Sequence, residues 1–435
     1  MKKVLIISYY FPPMGMGGVQ RVTKFAKYLP LFGWKPLVLT VKSVEYMAQD
    51  PSLLEELSPE VKIVRTGSFD PLRILYIWRY LWGKRKHKDD TVLKSSGIRA
   101  KLSSWFYFPD NKVGWIPHAL IRGLALYRKE KFDLIFSTSP PPSLHLTGYL
   151  LKLLTKTPWI ADFRDPWIGY KLETFPTPLH LFLKKKMEDF IIGHADKVIT
   201  ANPVIEEGFN KKYSISGKIY LVDQGYDEED FAVSSGFTSG VFTIGYLGTF
   251  SPDCNPEPVF AALGELISEN KIPQDKVRLV HYGLSLEIDL VALTEKYNLR
   301  NVVQSGGYLS HKKALNEMRK VSVSLLVTSD DPSVFPAKVY EYLRLRKPIM
   351  GIVPPESQIA RLLTETGTGK IVSPGDKDGI KKMLLVYFDS FTKGHLGTDI
   401  NSDILDRYER KSLSLKLASL INQTLSKKKI TSNKR

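Results

Sequence analysis

Short patterns of buried strands alternate with helical patterns along this chain, and the alternation starts afresh in its second half. The first strand pattern is the apolar, β-branched run at 4–8, and a glycine-rich loop and a helix from about Val19 follow it. A strand pattern and a glycine-containing loop return from Phe242. Short apolar strands that alternate with helices are typical of parallel sheets covered on both faces. The sequence therefore predicts the α/β class with two doubly wound domains.

Length and composition set bounds on the function. A chain of 435 residues is long for one core, which agrees with two domains. The formal charge of +17 favours anionic partners such as nucleic acid, acidic lipid headgroups or phosphorylated substrates. Cys254 is the single cysteine, so neither an internal disulfide nor a cysteine-based metal cluster is expected, as in a reducing cytoplasm. No uncharged apolar run is long enough to predict a membrane-spanning helix.

The loop after the first strand contains Gly15, Gly17 and Gly18 and opens onto a helix. A strand, a glycine loop and a helix start in this order form a phosphate cradle in several nucleotide-binding folds. A dinucleotide site is disfavoured, because no acidic residue ends the next strand at 36–41. A plain tight turn is the alternative to a ligand-binding loop.

A helix with a sharp start and a sharp end is predicted within 333–351. Pro336 fits the first helical position, and Pro348 cannot continue the hydrogen-bond ladder. The free N–H groups and positive dipole end of such a helix attract phosphate, and Lys338 adds a cation there. The carboxylate of Glu341, one turn further on, suits a ribose diol. A solvated surface pair of Lys338 and Glu341 is the alternative.

Polar residues also follow two predicted strands of the first half. His145 lies in the helix after the strand at 133–137, and Asp162, Arg164 and Asp165 end the next strand. Carboxyl ends of parallel strands meet at one edge of a sheet, so these residues are expected to face one cleft. A structural role is the alternative for a lone histidine in a helix.

Three segments resemble the family 4 nucleotide-sugar glycosyltransferases, which have the GT-B fold of two Rossmann-like domains facing a central cleft. The motif P-x-K-x-x-E-Y-L followed by K-P, starting at Pro336, is similar to the family's donor-binding helix. The loop S-T-S-P-P-P-S-x-H, ending at His145, and W-I-A-D-F-R-D-P-W at 159–167 are similar to the cell-surface polysaccharide type. The family has two glutamates separated by seven residues here, and the first falls on Ser333, which is a departure.

The resemblance implies roles for individual residues. His145 contacts the transferred sugar, Lys338 meets the diphosphate and Glu341 holds the ribose. The residues implied around the donor are Gly17, Gly18, Gly248, Thr249, Tyr308, Leu309, Ser333, Pro336 and Ala337. Asp162, Arg164 and Asp165 shape the acceptor side. The family commonly places basic residues shortly after the loop at Gly248, whereas this chain has no Lys or Arg between 241 and 270.

The implied activity is transfer of a sugar from a nucleotide diphosphate donor to a lipid-linked or saccharide acceptor. The implied reaction retains anomeric configuration and uses neither a metal nor a cofactor. The predicted domains are 1–225 on the acceptor side and 226–395 on the donor side, then helices within 396–426 that return to the first domain and a disordered basic tail at 427–435. A catalytically inactive subunit that binds a glycan or a partner is the alternative, favoured by Ser333.

Aromatic and basic residues are interleaved at 71–88 and are followed by a second basic run at 184–186. Aromatic rings beside lysines are typical of helices that lie at an anionic membrane surface. No nucleic-acid recognition motif accompanies them, so a nucleic-acid partner is not expected. The prediction is a cytoplasmic protein associated peripherally with the inner face of the membrane. A core helix capped by a charged loop is the alternative for 71–88.

Overall fold

A computed structural model of the chain describes residues 1–44, 46, 48–70, 73–74, 76–78, 108–168, 175–215, 217–231, 240–398, 400 and 402–432. The chain divides into two compact units. The first unit comprises Met1–Asp223 and Leu413–Arg435, and the second comprises Gln224–Ser412. Among the described residues, no helix combines the length and the apolar character needed to cross a bilayer.

A parallel sheet of seven described strands forms the centre of the first unit. The strands are β1 (Lys2–Ile7), β2 (Trp34–Val41), β3 (Lys62–Thr66), β4 (Leu134–Ser139), β5 (Trp159–Phe163), β6 (Lys197–Thr200) and β7 (Ile219–Leu221). Their order is β3-β2-β1-β4-β5-β6-β7, with parallel pairings. The chain changes its direction of travel across the sheet between β1 and β4, which is the doubly wound topology.

Helices cover both faces of this sheet. They are α1 (Gly17–Tyr28), α2 (Ser52–Glu55), α3 (Ile116–Glu130), α4 (Ser143–Thr155), α5 (Pro178–His194) and α6 (Pro203–Tyr213), with short 3-10 helices at Leu29–Phe32 and Val113–Trp115. Side chains of β1 alternate between two apolar clusters, with Leu5 and Ile7 in one and Val4 and Ile6 in the other. The strands therefore read as continuous apolar runs because both of their faces are buried.

The second unit repeats this plan with six described strands. They are β8 (Phe242–Leu247), β9 (Val277–Tyr282), β10 (Val303–Gly307), β11 (Val323–Val327), β12 (Ile349–Ile352) and β13 (Gly369–Val372). Their order is β10-β9-β8-β11-β12-β13, again with parallel pairings. The direction of travel changes between β8 and β11. This point is the topological equivalent of the β1 and β4 junction in the first unit.

Helices of the second unit follow the strands in the same alternation. They are α7 (Glu257–Ser268), α8 (Leu290–Lys296), α9 (His311–Met318), α10 (Lys338–Leu345), α11 (Gln358–Thr366), α12 (Lys377–Thr392) and α13 (Ser402–Asp406), with 3-10 helices at Glu228–Phe231 and Gln274–Lys276. The final helix, α14 (Arg410–Ser432), begins in the second unit and continues in the first. Its residues Leu413, Leu417 and Ile421 pack in the core cluster that contains Val4.

Domain limits at the carboxyl end differ from those predicted from sequence. The second unit continues to Ser412 rather than ending at 395, so α13 belongs to it. The segment that returns to the first unit starts at Leu413 rather than at 396. Helix α14 extends through Ser432, although the tail from 427 is predicted to be disordered. The apolar residues of α14 explain the return, because they complete a core that the first unit leaves open.

Of the predicted interfacial segment 71–88, only 73–74 and 76–78 are described, and the basic run at 84–88 lies outside the described residues. The membrane prediction for that segment therefore stays a prediction. The second basic run, 184–186, lies in α5 of the first unit.

Candidate functional site

The candidate site lies at the carboxyl edge of the second sheet. Gly248 follows β8 and Gly283 follows β9, while α10 comes after β11. Strands β8 and β11 are the neighbours at which the strand order changes direction. Ligands of open parallel sheets bind outside the carboxyl ends of the strands at such a point. The topology therefore singles out the loop at Gly248 and the start of α10.

Two glycine backbones cross closely at this edge. A Cβ placed on Gly283 would lie 2.0 Å from the carbonyl oxygen of Gly248, so no side chain fits there. Gly248 has φ +122°, a conformation that side chains rarely adopt, and its N–H donates to the Tyr282 carbonyl at 2.8 Å. The Nε2–H of His281 donates to the Gly248 carbonyl at 2.9 Å. These contacts fix the loop after β8 against the end of β9.

Lys338 meets this loop from the first residue of α10. A Cβ placed on Gly248 would lie 3.1 Å from the Lys338 Nζ. The Nζ donates to the Tyr246 hydroxyl and lies 3.7 Å from the centroid of the Tyr246 ring. Removal from water lowers the pKa of Lys338 to about 8, while the charge of Glu341 opposes this change. The lysine is therefore mainly charged at neutral pH but close to its titration.

The position of α10 is fixed by its apolar side. Val339, Tyr342 and Leu343 are fully buried, and the Tyr342 hydroxyl accepts a hydrogen bond from the Leu247 N–H at 2.8 Å. This bond ties the helix to the last residue of β8, directly before Gly248. The buried side of α10 and its hydrogen bond to β8 therefore fix the position of the Lys338 ammonium group beside the loop.

Glu341 lies one turn into α10 and is partly accessible, with 15% of its side chain exposed. Its Oε1 is 3.3 Å from the Nε2 of His311, the first residue of α9. His311 is also 3.5 Å from the carboxylate of Asp230. A carboxylate held in this way accepts hydrogen bonds only, which suits a diol.

The turn before α10 differs from the prediction. The helix begins at Lys338, so Pro336 is not its first residue; Pro336 and Ala337 form a turn in which their carbonyls accept the Val339 and Tyr340 N–H groups. The helix ends at Leu345 because Arg346 adopts a left-handed conformation, three residues before its predicted terminator. The Pro336 ring still fixes φ immediately before the helix.

Ser333 closes a polar turn with Asp331. Both the N–H and the hydroxyl of Ser333 donate to Asp331 Oδ1, at 2.9 and 2.6 Å. Asp331 is 8% exposed. The burial of Asp253 and the charge of Asp331 both raise the pKa of Asp253. Ser333 stands where the family has its first glutamate. The carboxylate beside this position is therefore that of Asp331, two residues earlier in the chain.

Tyr308 and Leu309 lie in the loop between β10 and α9. Leu309 lines a cavity of about 360 Å³ together with Tyr282 and Lys313. Gly307 has φ +64°, which turns the chain sharply out of β10. The cavity lies at the ends of β9 and β10, on the same edge of the sheet as Gly248. Thr249 directly follows Gly248, and its carbonyl accepts from the Tyr246 hydroxyl at 3.1 Å.

The glycine loop of the first unit opens onto α1 at Gly17. Gly17 and Gly18 are exposed, and a Cβ on Gly17 would meet nothing within 4 Å. Met16 precedes them with φ 72° and ψ 165°, a region that is almost restricted to glycine. The backbone here is thus open to solvent and strained at Met16, a feature that the sequence analysis did not detect.

His145 is fully buried in α4. Its Nδ1 is 2.7 Å from the Ser137 hydroxyl and its Nε2 is 3.1 Å from the Ser139 hydroxyl. Trp159 and Trp167 donate their indole N–H groups to the same two serines. Burial lowers the pKa of His145 to about 3. These contacts favour the structural alternative for His145, and contact with a sugar stays a prediction.

The three predicted acceptor-side residues have different environments. Asp162 is fully buried and accepts two hydrogen bonds from Arg21, at 3.1 and 2.8 Å. Arg164 is 5% exposed and donates to the backbone carbonyls of Ser139, Pro140 and Gly18. Asp165 is exposed. Asp162 and Arg164 therefore hold the carboxyl edge of the first sheet together, whereas Asp165 projects from it.

Several residues of the second site carried no sequence signal. Tyr246 and His281 read as ordinary strand residues, but they form the floor under Gly248, where Tyr246 stacks on Phe250 with ring centroids 4.1 Å apart. A polar residue inside a strand pattern, as at His281, is the signal that was available.

Comparison of the structure with solved structures identifies its fold. A sucrose-phosphate synthase from Thermosynechococcus elongatus matches with a TM-score of 0.67 at 15% identity, over 98% of this chain and 100% of that chain. HepE from Anabaena, in complex with UDP and glucose, matches with a TM-score of 0.67 at 14% identity, over 97% and 100%. A glycosyltransferase from Rickettsia africae matches with a TM-score of 0.63 at 14% identity, over 98% of each chain.

No family model matches the sequence, and no curated protein matches it. The likeness in structure extends over nearly the whole chain and includes both sheets. The protein therefore has the GT-B fold, with two Rossmann-like units, as the sequence predicts.

The buried His145 predicts how the stability of the first unit depends on pH. Its pKa is lowered from 6.5 to about 3, so only the unfolded state takes up a proton as the pH falls from 6.5 towards 3. The free energy of unfolding is therefore highest above pH 6.5 and falls by roughly 1.4 kcal/mol for each pH unit below it. In His145→Ala this part of the slope should disappear.

Tryptophan fluorescence during urea unfolding at pH 4–7 measures this slope, because all seven tryptophans precede residue 224. His395→Ala, at an exposed histidine of the second unit, is the control and should keep the slope of the unchanged protein. An equal slope in His145→Ala and the unchanged protein would show that His145 is not enclosed as described.

Proposed function

We propose that this protein is a glycosyltransferase that moves a sugar from a nucleotide diphosphate donor to a lipid-linked or saccharide acceptor in cell-surface polysaccharide synthesis. The observation that carries the proposal is the ammonium group of Lys338 beside the Gly248 backbone, at the switch point of the second sheet. A GT-B protein with UDP and glucose bound, HepE, supports a nucleotide sugar as the ligand.

Departure of the nucleotide is the demanding step, because negative charge develops on the diphosphate as its bond to the sugar breaks. In the proposed complex, the Lys338 ammonium and the positive dipole end of α10 lie against the diphosphate. They stabilise the developed charge more than the ground state, and so they lower the barrier. We propose a retaining, metal-independent reaction without a cofactor on the family resemblance alone.

The remaining donor groups have partners at the same edge of the second sheet. Glu341, oriented by His311, accepts hydrogen bonds from the ribose hydroxyls. The loop at Tyr308 and Leu309 receives the nucleobase, since the cavity beside it is open at the ends of β9 and β10. Thr249, Ser333, Pro336 and Ala337 complete the surroundings of the diphosphate and sugar.

The acceptor is assigned to the first unit. Gly17 and Gly18 present an open backbone that the resemblance implies for the bound donor or the acceptor, and Asp165 is an exposed acid at the same edge of the first sheet. Arg164 holds the loops on which these groups lie by donating to the carbonyls of Ser139, Pro140 and Gly18. A lipid-linked acceptor would bring the protein to an anionic membrane surface, which the formal charge of +17 favours. We accordingly propose a cytoplasmic protein bound peripherally to the membrane.

The lowered pKa of Lys338 gives a test of donor binding. UDP should bind most tightly below pH 8, and its affinity should fall by roughly tenfold for each pH unit above 8, because the lysine loses its charge there. The diphosphate itself is fully ionised in this range. Titration calorimetry from pH 7 to 9, below the range in which uracil and guanine ionise, measures the profile, with GDP and ADP included because the nucleobase is not fixed.

Lys338→Arg is the matched variant, because a guanidinium keeps its charge throughout this range. Its affinity profile should be flat above pH 8. The donor site would be misassigned if the arginine variant lost affinity with pH as the unchanged protein does.

The alternative is a transferase-like subunit that binds a glycan or a partner without catalysis. Ser333 favours it, because its hydroxyl is engaged with Asp331 and it stands where the family has a sugar-contacting glutamate. Nucleotide release from a panel of nucleotide sugars separates the two functions. Release that Lys338→Ala and Glu341→Ala reduce by roughly 100-fold is expected for the enzyme. Binding of donors without release would favour the inactive subunit, and failure to bind any of them would refute the donor site.

A further inference from the structure

Helix α5 exposes an apolar stripe along its whole length. Leu179, Phe182, Leu183 and Phe190 share this stripe, because residues three, four, seven or eleven apart lie on one side of a helix. They are 60%, 53%, 39% and 37% exposed, respectively. Single exposed apolar residues are common on protein surfaces, whereas these four share one side of a 17-residue helix, with the exposed Lys186 between Phe182 and Phe190.

The opposite side of α5 is anchored in the first unit. Met187, Ile191 and Ile192 belong to its core cluster, and Glu188 is 2% exposed. The Thr177 hydroxyl caps the helix by accepting the His180 N–H. The stripe is therefore presented on a fixed helix whose own core contacts are already made.

The stripe continues onto α4. The Phe190 ring packs against Tyr149 with centroids 4.8 Å apart, and Tyr149 and Leu153 line a neighbouring cavity of about 530 Å³. Leu153 is 48% exposed. We define the apolar face as Leu153, Leu179, Phe182, Leu183 and Phe190.

Lysines lie within and beside the apolar face. Lys185 and Lys186 are exposed, and the Lys186 Nζ lies 5.7 Å from the centroid of the Phe182 ring. Lys184 lies over the Phe175 ring, 5.0 Å from its centroid. The Lys212 Nζ lies 2.8 Å from the Glu188 carboxylate and 3.1 Å from that of the exposed acid Asp189. The surroundings of the face are thus positively charged.

We propose that the apolar face is the membrane-docking surface of this protein and that its partner is an anionic lipid bilayer. With α5 in the plane of the bilayer, the leucine and phenylalanine side chains enter the acyl region while the lysine ammonium groups stay at headgroup level. A second copy fits this face less well, because two apolar faces in contact would bring Lys186 against Lys186. The inference rests on the proposed function in one respect, because a lipid-linked acceptor is the reason for the protein to bind a membrane.

Vesicle flotation tests the proposal with the full chain. The unchanged protein should float with vesicles of phosphatidylglycerol and phosphatidylcholine, and binding should fall at least tenfold in 0.5 M salt or on pure phosphatidylcholine. Leu179→Gln with Phe182→Gln should lower the partition coefficient by roughly tenfold or more. Lys185→Gln with Lys186→Gln should do the same on anionic vesicles only.

Matched controls use residues of equal character away from the face. Ile121→Gln with Leu415→Gln removes two exposed apolar side chains elsewhere, and Lys211→Gln with Lys276→Gln makes the same change in net charge. Both control pairs should bind vesicles as the unchanged protein does. All variants should keep the unfolding midpoint and the UDP affinity of the unchanged protein, so failure of docking and failure of the proposed donor site are read separately.

Three results would overturn the proposal. The first is that the unchanged protein stays in solution with anionic vesicles while it binds UDP. The second is that the apolar and lysine variants float as well as their controls, which would place the lipid contact elsewhere in the chain. The third is sedimentation as a dimer that Leu179→Gln with Phe182→Gln abolishes, which would make a second copy the occupant.

Discussion

The close crossing of the Gly248 and Gly283 backbones determines the geometry of the second unit's site. A Cβ on Gly283 would lie 2.0 Å from the Gly248 carbonyl oxygen, so the crossing exists only because a side chain is missing there. The crossing places the loop after β8 against the end of β9, where His281 donates a hydrogen bond to the Gly248 carbonyl. The same loop contacts Lys338 on its other side. The placement of the cation therefore follows from backbone packing before any ligand arrives.

The two units use their charged residues in opposite ways. At the carboxyl edge of the first sheet, Asp162 is fully buried against Arg21, and Arg164 is engaged with backbone carbonyls. A buried ion pair of this kind costs desolvation and chiefly fixes the arrangement of its surroundings. At the corresponding edge of the second sheet, Lys338 and Glu341 keep accessible atoms. The charged residues of the first edge thus hold loops in place, whereas those of the second edge remain partly accessible to a ligand.

Sequence reasoning predicted the fold, whereas the roles assigned to the site residues stay predictions. The central strands were predicted because both of their faces are buried and they read as apolar runs, whereas the edge strands β3 and β13 are only half-buried and gave no such run. The spacing on α10 pointed to Lys338 and Glu341 but left a solvated surface pair as the alternative, and the resemblance to family 4 supplied their roles. The roles of Tyr246, His281 and His311 depend on contacts between distant segments, which spacing cannot show. His145 was assigned by motif, and only its burial revealed the serines that occupy both ring nitrogens.

Binding of UDP and uridine to the unchanged protein and to Lys338→Met tests the central claim most directly. If the diphosphate docks on Lys338, the variant should bind UDP at least roughly tenfold more weakly, while its affinity for uridine should be unchanged. The difference between the two ligands then isolates the contact between phosphate and ammonium. An equal loss for UDP and uridine, or no loss for UDP, would contradict the assignment of the diphosphate to the start of α10.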